Sequence, residues 1–321
     1  MTGHGRVWLT GLVIRGALLR AADSPWLRHR LARSRVARRA VLRFMPGERL
    51  EDAVGAAGEL AGAGLTCVLT YLGEHVTDAA EAEPAAAEYE CALRALGEAG
   101  LSPHVSVKPT HLGLDLDPAR TLALTGRLAR LAGAAGGVLW LDMEESERTD
   151  ATIELYRRLR LEHDSVGLCL QAYLRRTPRD LAALLPLRPR IRLVKGAYRE
   201  PAALAHQHRR DVDASFLELG VTLLRRGADT ALGTHDVALL DRIERLAGGF
   251  DVDRRAYEVQ MLYGIRAGEQ RRLAGEGYRM RVLIAYGSEW FAWYVRRLAE
   301  RPANLLFVLG AAAAGPRRRP A

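Results

Sequence analysis

Lysine is almost missing from this chain. Of its 47 basic residues only Lys108 and Lys195 are lysines, and the rest are arginines. Asparagine occurs once, at Asn304, and glutamine four times. Cysteine is scarce too: Cys67, Cys91 and Cys169 are an odd number without paired spacing. That excludes a disulfide framework and points to a reducing, cytoplasmic compartment. Zinc-ligand spacing, an RNP-like aromatic motif and a long basic arm are all lacking, and no metal site is expected. The formal net charge of +9 therefore does not imply nucleic acid, because the arginines are spread along the chain and alternate with acids. No apolar run is long enough to cross a membrane. The most apolar early stretch, residues 7–22, is interrupted by Arg15 and Arg20 and has no clear cleavage site. It reads as an amphipathic helix that packs on the domain or touches a membrane. The basic patches at 28–43 and 317–319 suit an anionic surface at the inner face of the cell membrane.

What is present is enough apolar material for a large core, 49% of 321 residues. Short β-branched or apolar runs fall at 66–71, 104–108, 137–142, 166–171, 191–195, 230–234, 256–260 and 281–284. Between them, apolar residues recur at helical spacing over 85–99, 118–132, 151–163, 179–185, 212–226, 237–246 and 269–275, and an eighth helix is predicted at 290–300. Such alternation implies parallel strands joined by helical crossovers. Eight units in one run, with no Gly-rich fingerprint after the first strand, predict an α/β chain folded as a (βα)8 TIM-type barrel with extra N-terminal helices. Residues 1–63 are expected to form a helical extension packed on the barrel. Residues 64–310 would be the catalytic barrel, and 311–321 a disordered tail.

Barrel enzymes carry their chemistry at the C-terminal ends of the strands, and polar residues collect there. Lys108 ends the second strand and Thr110 follows it, Asp142 and Glu144 mark the end of the third, and Gln171 ends the fourth. Arg192, Lys195 and Tyr198 mark the fifth. Thr234, His235 and Asp236 mark the sixth, Gln260 the seventh, and Arg296 and Arg297 the helix after the eighth. Each alone also reads as a polar loop residue or a core hydrogen bond, and an Arg-Arg pair reads as a solvated face. Convergence from so many units marks an active site. Both lysines fall at strand ends, where a compact ammonium differs from a planar guanidinium in hydration and tunable pKa. Lys195 there could also form an imine with a carbonyl substrate.

The segments RLVKGAYRE (192–200), YEVQMLYGIR (257–266), GTHD (233–236), RRLAERPAN (296–304), TYLGE (70–74), VKPTHLG (107–113) and LDMEES (141–146) resemble the motifs of the FAD-dependent proline dehydrogenases, in the family's order. The resemblance covers roughly residues 40–310. It implies oxidation of L-proline to Δ1-pyrroline-5-carboxylate, with electrons passed to a quinone and a peripheral membrane encounter. Arg192 resembles the arginine beside the reacting flavin nitrogen. Lys195, Gly196, Ala197 and Tyr198 resemble the stretch along the cofactor, and Gln171, Thr234, His235, Gln260 and Arg297 are implied as further FAD contacts or lining residues. Arg296 and Arg297 resemble the pair that grips the substrate carboxylate, and Lys108 and Asp142 a charged active-site pair. Adjacent residues on a helix do not share a face, so one of the two arginines is expected to turn toward flavin or an acid such as Glu300.

Two departures bear on the substrate. Leu283 and Trp293 stand where many members carry tyrosines bordering the substrate ring, and Tyr286 is a candidate replacement. A hydroxylated or N-methylated proline is therefore an alternative substrate. A flavin-free Schiff-base lyase acting through Lys195, or a non-catalytic sensor of flavin or proline, are the remaining rivals.

Overall fold

The computed structural model describes residues 41–248 and 253–300. Eight parallel strands close into a barrel in sequence order. They are β1 (Thr66–Tyr71), β2 (Val105–Val107), β3 (Leu139–Leu141), β4 (Val166–Gln171), β5 (Arg190–Val194), β6 (Asp229–Gly233), β7 (Tyr257–Leu262) and β8 (Arg279–Tyr286). The ring closes between β1 and β8, from Thr66 opposite Arg281 to Tyr71 opposite Tyr286. A helix α1 (Leu50–Gly62) precedes the first strand. Then come α2 (Ala82–Glu98), α3 (Pro118–Ala134), α4 (Thr149–Glu162), α5 (Thr177–Leu184), α6 (Arg209–Arg225), α7 (Val237–Gly248), α8 (Ala267–Gly275) and α9 (Trp290–Glu300), one after each strand. All eight expected strand–helix units are present. Their edges differ from the expected ones by at most three residues: Lys108, Asp142, Lys195 and Thr234 lie just beyond their strands, and Gln260 sits two residues inside β7.

The two faces of the sheet have different occupants. Every residue of β4 is buried, as expected of a parallel strand covered on both sides. Outward side chains such as Leu69, Leu141, Leu193 and Val282 share one core with Tyr89, Leu128 and Phe216 of the helices. Inside the lumen a smaller group, Val68, Val138, Trp140 and Ala231 with Leu283, packs together. Gly167 makes room for Trp140, since a Cβ there would lie 2.4 Å from the indole. Local signals start the helices: Asp117 accepts from the Arg120 amide at 2.9 Å, and Pro118 occupies the first turn of α3.

Two flanking helices matter for the site. The small residues Ala53, Ala56 and Ala57 of α1 are buried, and α1 lies against β1 and β8. Trp290, Phe291, Tyr294 and Val295 of α9 pack with Val41, Phe44, Met45 and Leu72, which fixes the face of α9 that carries Arg296. The expected helix at 7–22, the basic patches apart from residues 41–43, and the tail at 311–321 lie outside the described residues. Among the described residues no helix is long and apolar enough to cross a membrane.

Candidate active site

The lumen is floored by an alternating row of charges. Arg192, on β5, is 3% exposed and donates through Nη2 to Asp142 and, at 2.7 Å, to Ser106 Oγ. Ser106 in turn donates to Asp142 Oδ1 at 2.7 Å. Lys108 Nζ binds the other oxygen, Oδ2, at 3.0 Å. Burial alone would raise the Asp142 carboxyl, but Lys108, Arg192 and the Ser106 hydroxyl hold it below its usual range. For Lys108 burial pulls downward, and the Asp142 carboxylate, with Tyr198, Glu74 and Glu144 behind it, lifts the ammonium well above its usual range. The guanidinium of Arg192 lies 5.1 Å from the Trp140 ring centre, a cation–π contact. Its Nη1 donates to Gln260 Oε1 at 3.3 Å.

At the C-terminal mouth, loops carry a second set. Arg296 of α9 holds Glu74 with both fork nitrogens, each at 2.8 Å, and lies 5.1 Å from the Tyr198 ring centre. Burial would raise the Glu74 carboxyl, yet Arg296 pulls it down to about 2. Glu144 has no exposed surface and accepts from the Thr110 amide and hydroxyl at 3.0 and 2.5 Å. Its burial dominates and pushes the carboxyl up to about 7 against the pull of Lys108 and Thr110. One ligand atom each from Glu74, His75 and Glu144 lie within 4.8 Å of one another. His75 also lies 3.4 Å from Glu145, whose hydrogen bond raises the imidazole.

The remaining expected residues line one side of this mouth. Lys195 sits between Asp213 at 2.5 Å and Asp236 at 3.2 Å, and Arg209 reaches the same two carboxylates. Gly196 has φ +108°, and a Cβ there would meet the Tyr173 ring at 2.1 Å, so glycine is required on both counts. Ala197 and Tyr198 follow, half-buried. Gln171 donates to the Met143 carbonyl at 3.1 Å. Its own Oε1 is buried with no hydrogen-bond partner. Thr234 Oγ1 accepts from the Asp236 amide at 3.1 Å, and His235 Nε2 accepts from the Leu262 amide at 3.0 Å, which in a neutral imidazole leaves the proton on Nδ1.

Four expectations are refined. Leu283 faces the lumen against the Val68 and Trp140 group. Tyr286 does not replace a missing lumen hydroxyl: it is three residues further along β8, on the opposite face, 5.4 Å from the Tyr71 ring centre within the outer core. Trp293 is buried with Phe44 and Trp290 rather than placed among the lumen groups. The acid facing Arg296 is Glu74. The side chains of Arg297 and Glu300 lie outside the described residues.

Sequence reasoning passed over several partners. Glu74 ends the TYLGE segment, and Ser106 precedes Lys108 by two positions. Glu258 and Arg281 are charged residues in mid-strand, spaced by two from Gln260 and Leu283, which is the period of one strand face. Glu200 accepts from the Ser146 amide at 2.7 Å and hydroxyl at 2.5 Å, which ties the 196–200 loop to the loop after β3.

Comparison with known proteins gives the family and the fold. A family model described as proline dehydrogenase matches residues 53–309. Proline dehydrogenase 1 of Bacillus subtilis (strain 168) is 38% identical over 267 residues, 83% of this chain and 88% of its own length. The proline dehydrogenase of Deinococcus radiodurans is 39% identical over 300 residues, 92% of this chain and 96% of its own. Among solved structures, proline utilization A from Bdellovibrio bacteriovorus inactivated by N-propargylglycine aligns with a TM-score of 0.78 at 23% identity. That alignment covers 87% of this chain and 34% of that longer one, and it shows the shared fold. The matched span takes in every lumen and mouth residue described above, and on that footing the chain belongs to the proline dehydrogenase family.

Proposed function

We propose that this proline dehydrogenase uses FAD to oxidise L-proline to Δ1-pyrroline-5-carboxylate and passes the electrons to a quinone. The observation that carries the reading is the row Lys108–Asp142–Arg192–Gln260 beneath a mouth in which Arg296 offers a carboxylate-binding fork. The donor set fits a flavin. Gln171 presents a buried acceptor with no protein donor, suited to the N–H of the ring system. Arg192, Lys195, Gly196, Ala197, Tyr198, Thr234, His235, Gln260 and Arg297 complete the residues that would hold it. The chemistry FAD supplies when bound is acceptance of a hydride from the ring carbon next to the substrate nitrogen.

The chain's own residues would do the rest. Arg296, with Arg297 next to it in α9, binds the substrate carboxylate in exchange for Glu74. Lys108 adds a fixed positive charge at the same end, held by Asp142. Arg192 is a buried cation locked by three partners, placed to stabilise negative charge that arrives on reduction. Leu283 and Trp140 give the lumen an apolar wall that excludes water from the ring. A quinone acceptor is lipid-soluble, so a peripheral encounter with a membrane is part of this reading.

A substituted proline is the second reading, favoured by one observation: β8 offers Leu283 to the lumen while Tyr286 turns away. The lyase rival is disfavoured by Lys195, since an ammonium clamped by two carboxylates is a poor amine nucleophile. The test is an anaerobic absorbance spectrum of the purified protein with FAD, before and after L-proline. Bleaching of the flavin band is expected. A flavin band untouched by proline removes the substrate, and no flavin binding removes the whole reading.

A further inference from the structure

A second buried ion pair joins the neighbouring strands β7 and β8 next to the row of charges described above. Arg281 Nε lies 2.9 Å from both oxygens of Glu258, and its Nη1 donates to the Cys67 carbonyl at 2.7 Å. Each side chain is 7% exposed. A pair like this is a poor device for stability, because apolar side chains of similar size often serve as well or better.

What the pair touches explains its place better. Glu258 Oε1 accepts from Gln260 Nε2 at 2.6 Å, and Gln260 Oε1 accepts from Arg192. A carboxylate only accepts and a guanidinium only donates, so the Gln260 amide has a single allowed orientation between them. Arg192 calls for the amide oxygen at one end and Glu258 anchors the NH2 group at the other, so Glu258 holds the amide in the orientation that Arg192 needs. Arg192 is thus fixed from two sides, by Asp142 and Ser106 on one and by Gln260 on the other. From Arg281 through Glu258, Arg192 and Asp142 to Lys108, the charges alternate in sign.

We infer that Glu258, neutralised by Arg281, is a positioning residue for the oxidation: it sets the Gln260 amide and, through it, the guanidinium of Arg192. The inference rests on the proposed role of Arg192 beside the flavin.

The experiment uses FAD-loaded enzyme and reads four things: anaerobic flavin reduction by proline, KM, flavin potential and unfolding. The variants are Glu258→Leu/Arg281→Met, Gln260→Met, and the triple combination. Glu258→Leu/Arg281→Met is expected to unfold cooperatively and keep its flavin. Its reduction rate should fall about tenfold or more, as expected of a displaced catalytic group, with KM for proline within roughly twofold and a more negative potential. Gln260→Met should show the same loss, and the triple variant no more than Gln260→Met alone, because residues acting in series are not additive. Glu258→Gln/Arg281→Met, which keeps a neutral acceptor for Gln260, should recover most of the rate.

A wild-type rate in Glu258→Leu/Arg281→Met, or additive losses in the triple variant, overturns the inference. If that pair fails to fold, Gln260→Met decides, and a wild-type rate there overturns it equally. Wild-type flavin bleached by proline keeps the underlying reading intact, so an unaffected variant then sinks this inference alone. Wild-type enzyme without bleaching sinks both.

Discussion

Arg296 and Glu74 meet fork to fork, with both nitrogen–oxygen distances at 2.8 Å. The geometry is the one a substrate carboxylate would adopt on the same guanidinium. On the proposed role of Arg296, Glu74 is a competitor for the substrate and a counter-ion at once. Glu74→Gln is expected to lower KM for proline several-fold. The same change leaves a buried arginine without its partner and should destabilise the fold by about 3 kcal/mol, read by urea unfolding. Arg296→Lys removes the planar fork and should raise KM at least roughly tenfold. An unchanged KM in both variants would place the substrate carboxylate elsewhere.

Ring preference follows from β8. Leu283 lines the lumen with Val68 and Trp140, so on the proposed reading this strand would offer a substrate ring an alkyl contact and no hydroxyl. Leu283→Tyr should change the ratio of kcat/KM for L-proline to that for 4-hydroxyproline by about fivefold or more, the size of one hydrogen bond. Steady-state kinetics with both substrates, and with N-methylproline, measure it. A ratio that does not move means Leu283 does not border the ring.

The barrel was legible in the sequence because its signal is repeated eight times. Apolar runs, turn residues and amphipathic helices recur in phase, and β4 and α9 match their expected bounds residue for residue. Residues at strand ends were legible for the same reason. What stayed hidden depends on which way a side chain turns after the strand has ended. Glu74 and Arg296 are 222 positions apart, and no local pattern pairs them. Tyr286 illustrates the opposite limit: its register was readable, but counting by two from Leu283 along β8 was needed to see that it faces outward. Glu258 and Arg281 pair across the neighbouring strands β7 and β8, and it is the strand register, set after each strand's own pattern is read, that puts them side by side.

The carboxylate–imidazole cluster at the mouth sets a pH dependence with a definite sign. Burial raises Glu144 from an ordinary 4.5 to about 7, so between those values the folded chain holds a proton that the unfolded chain has lost. Stability then falls as pH rises through that window. His75 acts in the same direction: its raised imidazole contributes stability that is full below its unfolded pKa of 6.5 and is lost as pH rises through the folded value. Glu74, held at about 2, acts oppositely, and its contribution is lost only as pH falls below 4.5. Wild-type stability should therefore drop between pH 5 and 7. Glu144→Gln should flatten that drop by on the order of 1–3 kcal/mol. Urea unfolding at pH 5, 6 and 7 gives the comparison, and parallel curves for the two proteins would show that Glu144 is ionised throughout.

Lys108 offers the sharpest test of whether a rare residue type is retained for its chemistry. Its ammonium meets Asp142 Oδ2 at 3.0 Å, while Oδ1 is already taken by Ser106 and by the guanidinium of Arg192. A second guanidinium at position 108 would be bulkier, and its planar fork would find only one free carboxylate oxygen. Arginine should therefore fail here although the charge is the same. Lys108→Arg is expected to bind FAD with an ordinary spectrum and to lose about 100-fold in kcat/KM, the scale of removing one preorganised electrostatic contact. Lys108→Met should lose a similar amount, since in both variants the compact cation is gone. If Lys108→Arg kept most of the activity while Lys108→Met did not, positive charge alone would be sufficient at this position. The lysine would then be a survivor of the chain's arginine bias, not a requirement of its active site.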